Sequence, residues 1–132
     1  MLKKKLKVLI LDDEKDICEF VRLLFRKKGY LVYKAFSGNK AVSLAKKVKP
    51  DIALLDIYLK RGVSGIDVLS RIKGVAPLCQ CVMVTWDSAK EKIKEARKSG
   101  SVAYLTKPLT IEQLFKVVNR IAKNIAKRGK HG

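Results

Sequence analysis

The 132 residues hold no apolar run approaching the roughly 20 that a membrane-spanning helix needs, which excludes an integral membrane protein. The start, Lys3-Lys4-Lys5-Leu6-Lys7, is basic. The apolar stretch behind it, Val8 to Leu11, stops at Asp12-Asp13-Glu14 and is too short for a signal peptide. Cysteine is scarce: three residues, an odd number, with no pair at zinc-site spacing. That argues against a disulfide framework or a structural metal site and for a reducing, cytoplasmic setting. Repeats, low-complexity segments and interior linkers are absent, and the length suits one domain. Acids are few for so charged a chain: 12 Asp and Glu stand against 30 Lys and Arg, a net charge of +18. Such a balance bears on association and solubility, not on fold. It suits nucleic acid, an anionic membrane surface or an acidic partner. The cations are spread along the chain, from Lys3–Lys7 through Arg26–Lys28 and Lys46–Lys49 to Lys116–Lys130. Charge alone therefore predicts only weak, non-specific nucleic-acid binding that fades by physiological salt.

What the chain does have is 48% apolar residues whose period changes repeatedly. Leu6 to Leu11 reads as a buried strand. Ile17, Phe20, Val21 and Leu24 then recur at helical spacing, with Phe25 and Cys18 off that stripe and Gly29 ending the helix. A second strand, Leu31 to Phe36, precedes Ser37, an N-cap for a helix with Ala41, Leu44, Ala45 and Val48. After Pro50, Ile52 to Leu55 is a fully apolar third strand. Ser64 caps a helix carrying Ile66, Leu69 and Ile72, and Cys79 to Val84 is the fourth strand. Ser88 and Glu91 have capping-box spacing before a helix ending at Gly100. Val102 to Leu105 is the fifth strand, and Thr110 opens a last helix with Ile111, Leu114, Val118, Ile121 and Ile125. Five βα units in strict alternation predict an α/β protein with a doubly wound, five-stranded parallel sheet flanked by five helices.

The chemistry lies at the strand ends. The first strand ends at Asp12-Asp13, the third at Asp56, the fourth at Thr85 and the fifth at Thr106-Lys107-Pro108. In a doubly wound sheet these ends share one edge, and ligands bind in the crevice there. Three carboxylates so close repel one another and call for a cation. An all-oxygen set suits Mg²⁺, which keeps waters for phosphate oxygens. With Lys107 as a fixed positive charge and Thr85 as a hydrogen-bond donor, the predicted site handles phosphoryl groups, with an aspartate as nucleophile. Cys79 and Cys81, two apart on one strand, are expected to be buried free thiols on one side of the sheet, not a redox pair. His131 carries no evident role.

At these spacings the chain resembles the response-regulator receiver domain, the CheY-like family of two-component signalling, over nearly its whole length. The resemblance is carried by Val8-Leu9-Ile10-Leu11-Asp12-Asp13-Glu14, Pro50-Asp51-Ile52-Ala53-Leu54-Leu55-Asp56, Val84-Thr85 and Ala103-Tyr104-Leu105-Thr106-Lys107-Pro108. It implies a flavodoxin-like receiver domain over residues 1–126, with 127–132 a basic, frayed tail. It implies that Asp56 accepts a phosphoryl group from a sensor histidine kinase or phosphotransfer protein. Mg²⁺ would be held by Asp12, Asp13, Asp56 and the backbone carbonyl of Tyr58. Thr85 and Lys107 would grip the phosphoryl group, Tyr104 would be an aromatic switch coupled to Thr85, and the Lys107–Pro108 bond is a cis-peptide candidate. Such a domain is no enzyme beyond its own phosphotransfer and dephosphorylation. Its last two helices leave room for a homodimer.

Three departures stand out. The loop after Asp56 carries Lys60 and a displaced Gly65, implying one inserted residue around Arg61-Gly62-Val63. Tyr58 is bulky, and Trp86 fills a position that is usually small, so both are expected at the pocket rim. Two rival readings remain: a basic receiver-like module that holds nucleic acid or an acidic partner, and a Mg²⁺-dependent phosphohydrolase. The second usually needs an acid two residues past the nucleophile, where this chain has Tyr58. Output is expected through direct contact or from a neighbouring domain.

Overall fold

A computed structural model describes residues 5–59 and 63–131, without the side chains of 15–18 and 129–131. Five strands alternate with five helices: β1 Lys7–Leu11, α1 Lys15–Lys27, β2 Leu31–Ala35, α2 Gly38–Val48, β3 Ile52–Leu55, α3 Gly65–Val75, β4 Gln80–Thr85, α4 Lys90–Lys98, β5 Ser101–Thr106 and α5 Ile111–His131. All pairings are parallel, in the order β2-β1-β3-β4-β5. The chain order reverses across β1, so the ends of β1 and β3 flank the crevice that such a reversal opens.

Alternation along the central strands builds two cores. Leu9, Leu11, Ala53, Leu55, Cys81 and Met83 face α2, α3 and α4. Val8, Ile10, Ile52, Leu54 and Val82 face α1 and α5, meeting Val21, Phe25, Leu114, Val118 and Ile121. Side-chain oxygens start three of the helices: Ser37 accepts from the Lys40 amide and Ser64 from the Ile66 amide. Thr110 and Gln113 form a reciprocal capping box at the start of α5. Gly29, at φ +93°, closes α1 in a conformation that a side chain would strain.

The structure corrects several sequence expectations. In α1 the buried aromatic is Phe25, fully enclosed, while Phe20 is 58% exposed. Phe25 is drawn inward by edge-to-face contacts with Phe115 of α5 and Tyr30, ring centroids 4.7 and 5.6 Å away. The side chains of Ile17 and Cys18 lie outside the described residues. Ser88 does not cap α4: the N-cap is Ala89, whose amide donates to the Asp87 carboxylate instead. Helix α5 runs to His131. Lys60, Arg61 and Gly62, around the inserted residue, lie outside the described residues.

Cys79 and Cys81 are buried free thiols on one side of the sheet, sulfurs 4.0 Å apart. The contact with Cys81, together with burial, holds the Cys79 thiol above its ordinary pKa. Both thiols are enclosed, so a thiol reagent in excess at neutral pH is expected to modify neither until the protein is denatured. Rapid modification of the native protein at either position would show that this core opens.

Candidate functional site

Asp12 and Asp56 are carried past the ends of β1 and β3, held by backbone bonds from the Asp12 amide to the Ala35 carbonyl (3.3 Å) and from the Asp56 amide to the Leu11 carbonyl (3.2 Å). Both are buried, at 6% and 8% exposure. Each carboxylate is oriented by an amide two residues on: Glu14 donates to Asp12 Oδ1 at 3.0 Å and Tyr58 to Asp56 Oδ1 at 3.2 Å. The remaining oxygens share one cation. Lys107 Nζ lies 3.1 Å from Asp12 Oδ2 and 3.2 Å from Asp56 Oδ2. The Lys107 amide donates to the Thr85 carbonyl at 2.7 Å, and the Lys107–Pro108 peptide is cis. Burial opposes the charge on Lys107, but the hydrogen bond to Asp12 and the charges of both acids outweigh it and raise its pKa above the ordinary lysine value.

The expected gathering of Asp12, Asp56, Thr85 and Lys107 at one sheet edge is thus present. Asp13, half-buried, follows on the same loop, yet the described residues contain no group of three His, Cys, Asp or Glu side chains close enough to hold a metal. Of the three carboxylates predicted to converge, Asp12 and Asp56 meet at the bridging ammonium of Lys107. The donors remain all oxygen: Asp12, Asp56, the neighbouring Asp13 and the Tyr58 carbonyl. That set fits a hard divalent cation.

Sequence reasoning missed Asp87. Its carboxylate accepts from the Tyr58 hydroxyl and from the Ala89 amide (2.8 Å), its backbone carbonyl accepts from the Tyr104 hydroxyl, and its amide lies 3.5 Å from Thr85 Oγ1. One residue thereby ties the loop after Asp56, the buried Thr85, the aromatic of β5 and the start of α4. Tyr58 holds the Asp87 pKa below its usual value, and the same bond raises that of Tyr58. Tyr104, half-buried, is pushed up to about 12, mainly by burial and then by the charge of Asp87. The available signal was an acid in the loop after β4, next to the strand that leads to Asp56.

Trp86 is 63% exposed, yet it shares with Asp56 and Lys107 a cavity of ≈ 280 Å³. Phe20, Val21, Leu54 and Leu109 form part of the apolar wall. Gly65 packs against the backbone just past β3. Its amide donates to the Ile57 carbonyl at 2.6 Å, and a Cβ there would lie 1.8 Å from the Asp56 carbonyl oxygen.

The family profile described as the response regulator receiver domain matches residues 8–119. The chain belongs to that family. As a receiver domain it is a module of two-component signalling, a class of switches and not of conventional enzymes. It is 29% identical over 114 residues to the sporulation initiation phosphotransferase F of Bacillus subtilis, spanning 86% of this chain and 91% of that protein. It is 30% identical over 129 residues to the transcriptional regulatory protein ZraR of Salmonella typhimurium, covering 98% of this chain but only 29% of that protein. Among solved structures, a two-component response regulator from Clostridium difficile superposes with a TM-score of 0.86 at 29% identity, covering 92% of this chain and 98% of that one. No helix among the described residues is long and apolar enough to cross a membrane.

Proposed function

We propose that this receiver domain takes a phosphoryl group onto Asp56 from the phosphohistidine of a sensor kinase or phosphotransfer protein, with Mg²⁺ as cofactor. The observation that carries the reading is the ammonium of Lys107 set between two buried carboxylates at the C-terminal edge of the sheet. An isolated strand-end acid would have no reason to be buried with a shared cation. In the proposed reaction a carboxylate oxygen of Asp56 forms the bond to phosphorus as the phosphorus–nitrogen bond breaks, its electron pair returning to the imidazole. The Tyr58 amide orients the Asp56 carboxylate beforehand. Lys107 offers its charge to the incoming phosphoryl oxygens, and the hydroxyl of buried Thr85 donates to one of them. Asp12, Asp13, Asp56 and the Tyr58 carbonyl would hold Mg²⁺, which neutralises phosphate charge when bound. Phosphorylation replaces the single negative charge of the Asp56 carboxylate with roughly −1.5 to −2 on the acyl phosphate and sets new acceptor oxygens before Thr85, biasing the tie from Thr85 through Asp87 to Tyr104 and α4.

Trp86, the only tryptophan, reports on this directly. Beryllofluoride with Mg²⁺ is expected to change its fluorescence and to saturate with one site per chain. Asp56→Asn should abolish the change. An unaltered response in Asp56→Asn would overturn the reading.

A further inference from the structure

Part of the charge scattered in the sequence is gathered in space. Every helix of a doubly wound fold ends at the edge where the strands begin, opposite Asp56. At that edge α1 ends in Arg26 and Lys27, α2 in Lys46 and Lys47, and α4 in Arg97 and Lys98. Lys28 and Lys49 extend the first two as C-cap residues, and Lys123 and Lys127 lie exposed on the later turns of α5. Half of the twelve acids lie towards the other pole. Asp12, Asp56 and Asp87 follow strands, and Asp67, Glu91 and Glu112 occupy first helical turns. Asp51 stands at the basic edge, where its carboxylate already accepts from the Lys7 amide at 2.8 Å. None of the ion pairs among the described residues uses these terminal cations. One cation per helix end is what the helix dipole favours. Lys28 lies over the Phe115 ring and Lys49 donates to the Val75 carbonyl. But two or three cations at each helix end, with only Asp51 and Glu95 among them, repel and exceed what the dipole explains.

We propose that this pole docks the domain on an anionic lipid surface. The array is two-dimensional, because α1 and α5 supply it from one side of the sheet and α2 and α4 from the other. A flat field of lysines matches a charged plane better than the two phosphate ridges of a duplex. Apolar side chains stand inside it. Leu78, in the turn between α3 and β4, is 86% exposed, and Leu31 and Val102, at the starts of β2 and β5, are exposed as well. Side chains of that kind gain from the acyl boundary of a bilayer and gain nothing from a phosphodiester backbone. A domain docked this way turns Asp56 away from the membrane, open to a phosphoryl donor.

The test is flotation of the full chain with phosphatidylcholine vesicles, with and without about 30% phosphatidylserine, in ~0.1 M salt. Binding is expected only to the anionic vesicles. The triple variant Lys27→Gln, Lys47→Gln, Lys98→Gln should lose about fivefold in partitioning for each charge removed. Lys40→Gln, Lys90→Gln, Lys116→Gln, with the same net charge but exposed towards the other pole, should lose far less. Leu78→Ser should weaken vesicle binding severalfold and leave binding to a duplex of about 30 base pairs unchanged. Equal losses in the two triple variants, equal binding to neutral vesicles, no binding to anionic vesicles, or tighter binding to the duplex at the same salt would each overturn the proposal. These outcomes do not depend on whether Asp56 is phosphorylated.

Discussion

Gly65→Ala is expected to cost more than about 4 kcal/mol of stability, enough to lower Tm by roughly 12 °C or more in a domain of this size. The added methyl would sit 1.8 Å from the Asp56 carbonyl oxygen and 2.7 Å from Ile57 Cα. Both are backbone atoms at the exit of β3, where all four strand residues are buried, so neither can yield cheaply. Accommodation would lift the start of α3 off the strand end and break the 2.6 Å bond from the Gly65 amide to the Ile57 carbonyl. Gly74→Ala in the same helix provides the opposite sign. Nothing lies within 4 Å of the added Cβ, and removing a glycine from a helix should raise stability by about 0.5 kcal/mol. Thermal melts of the two variants beside the native protein check both. A Gly65→Ala variant that melts within a degree or two of native, on the order set by such measurements, would contradict the close approach.

Lys107→Met should destabilise the domain by about 3 kcal/mol in EDTA, because it leaves two buried carboxylates facing each other without their shared cation. The deficit should be recovered on adding Mg²⁺. A divalent ion held by the same acids replaces the lost charge, and at 100 times its dissociation constant contributes roughly 2.7 kcal/mol by linkage. Native protein should also gain from Mg²⁺, but from a higher starting point. The alkaline limb gives a second check. The folded state holds the Lys107 proton more tightly than the unfolded chain does. Its contribution is therefore complete below the ordinary lysine range and is lost as pH rises through the higher folded value. Lys107→Met should lack that final loss. Identical EDTA melts for the two proteins would contradict the role given to Lys107.

The order of elements was legible because each apolar run changes period at a recognisable breaker. Strands such as Ile52–Leu55 are apolar on both faces, as only a covered parallel sheet allows. The convergence of Asp12, Asp56, Thr85 and Lys107 followed from topology, since parallel strand ends share an edge. The misses came from partners distant in sequence. Helical spacing favoured Phe20 as an inward residue, but Phe115, ninety residues from Phe25, decides which aromatic α1 buries. Ser88 had the right spacing for a cap, and the neighbouring carboxylate of Asp87 took the amide first. The bond from Tyr58 to Asp87 spans 29 residues and two loops, and nothing in either local pattern announces it. Charge behaved likewise: the pairs Arg26–Lys27, Lys46–Lys47 and Arg97–Lys98, far apart along the chain, share one edge because every helix ends there.

The central claim is that Asp56 is the group that carries phosphate, and mapping the product of a small phosphodonor tests it most directly. The native protein is to be incubated with acetyl phosphate and Mg²⁺, its intact mass followed, and the modified residue located by reductive trapping and peptide mapping. One phosphoryl group per chain is expected, on Asp56, with none on Asp56→Asn under the same conditions. Acid-labile phosphate of equal stoichiometry on Asp56→Asn, or its location on Asp12 or Asp13 in the native protein, would contradict the account.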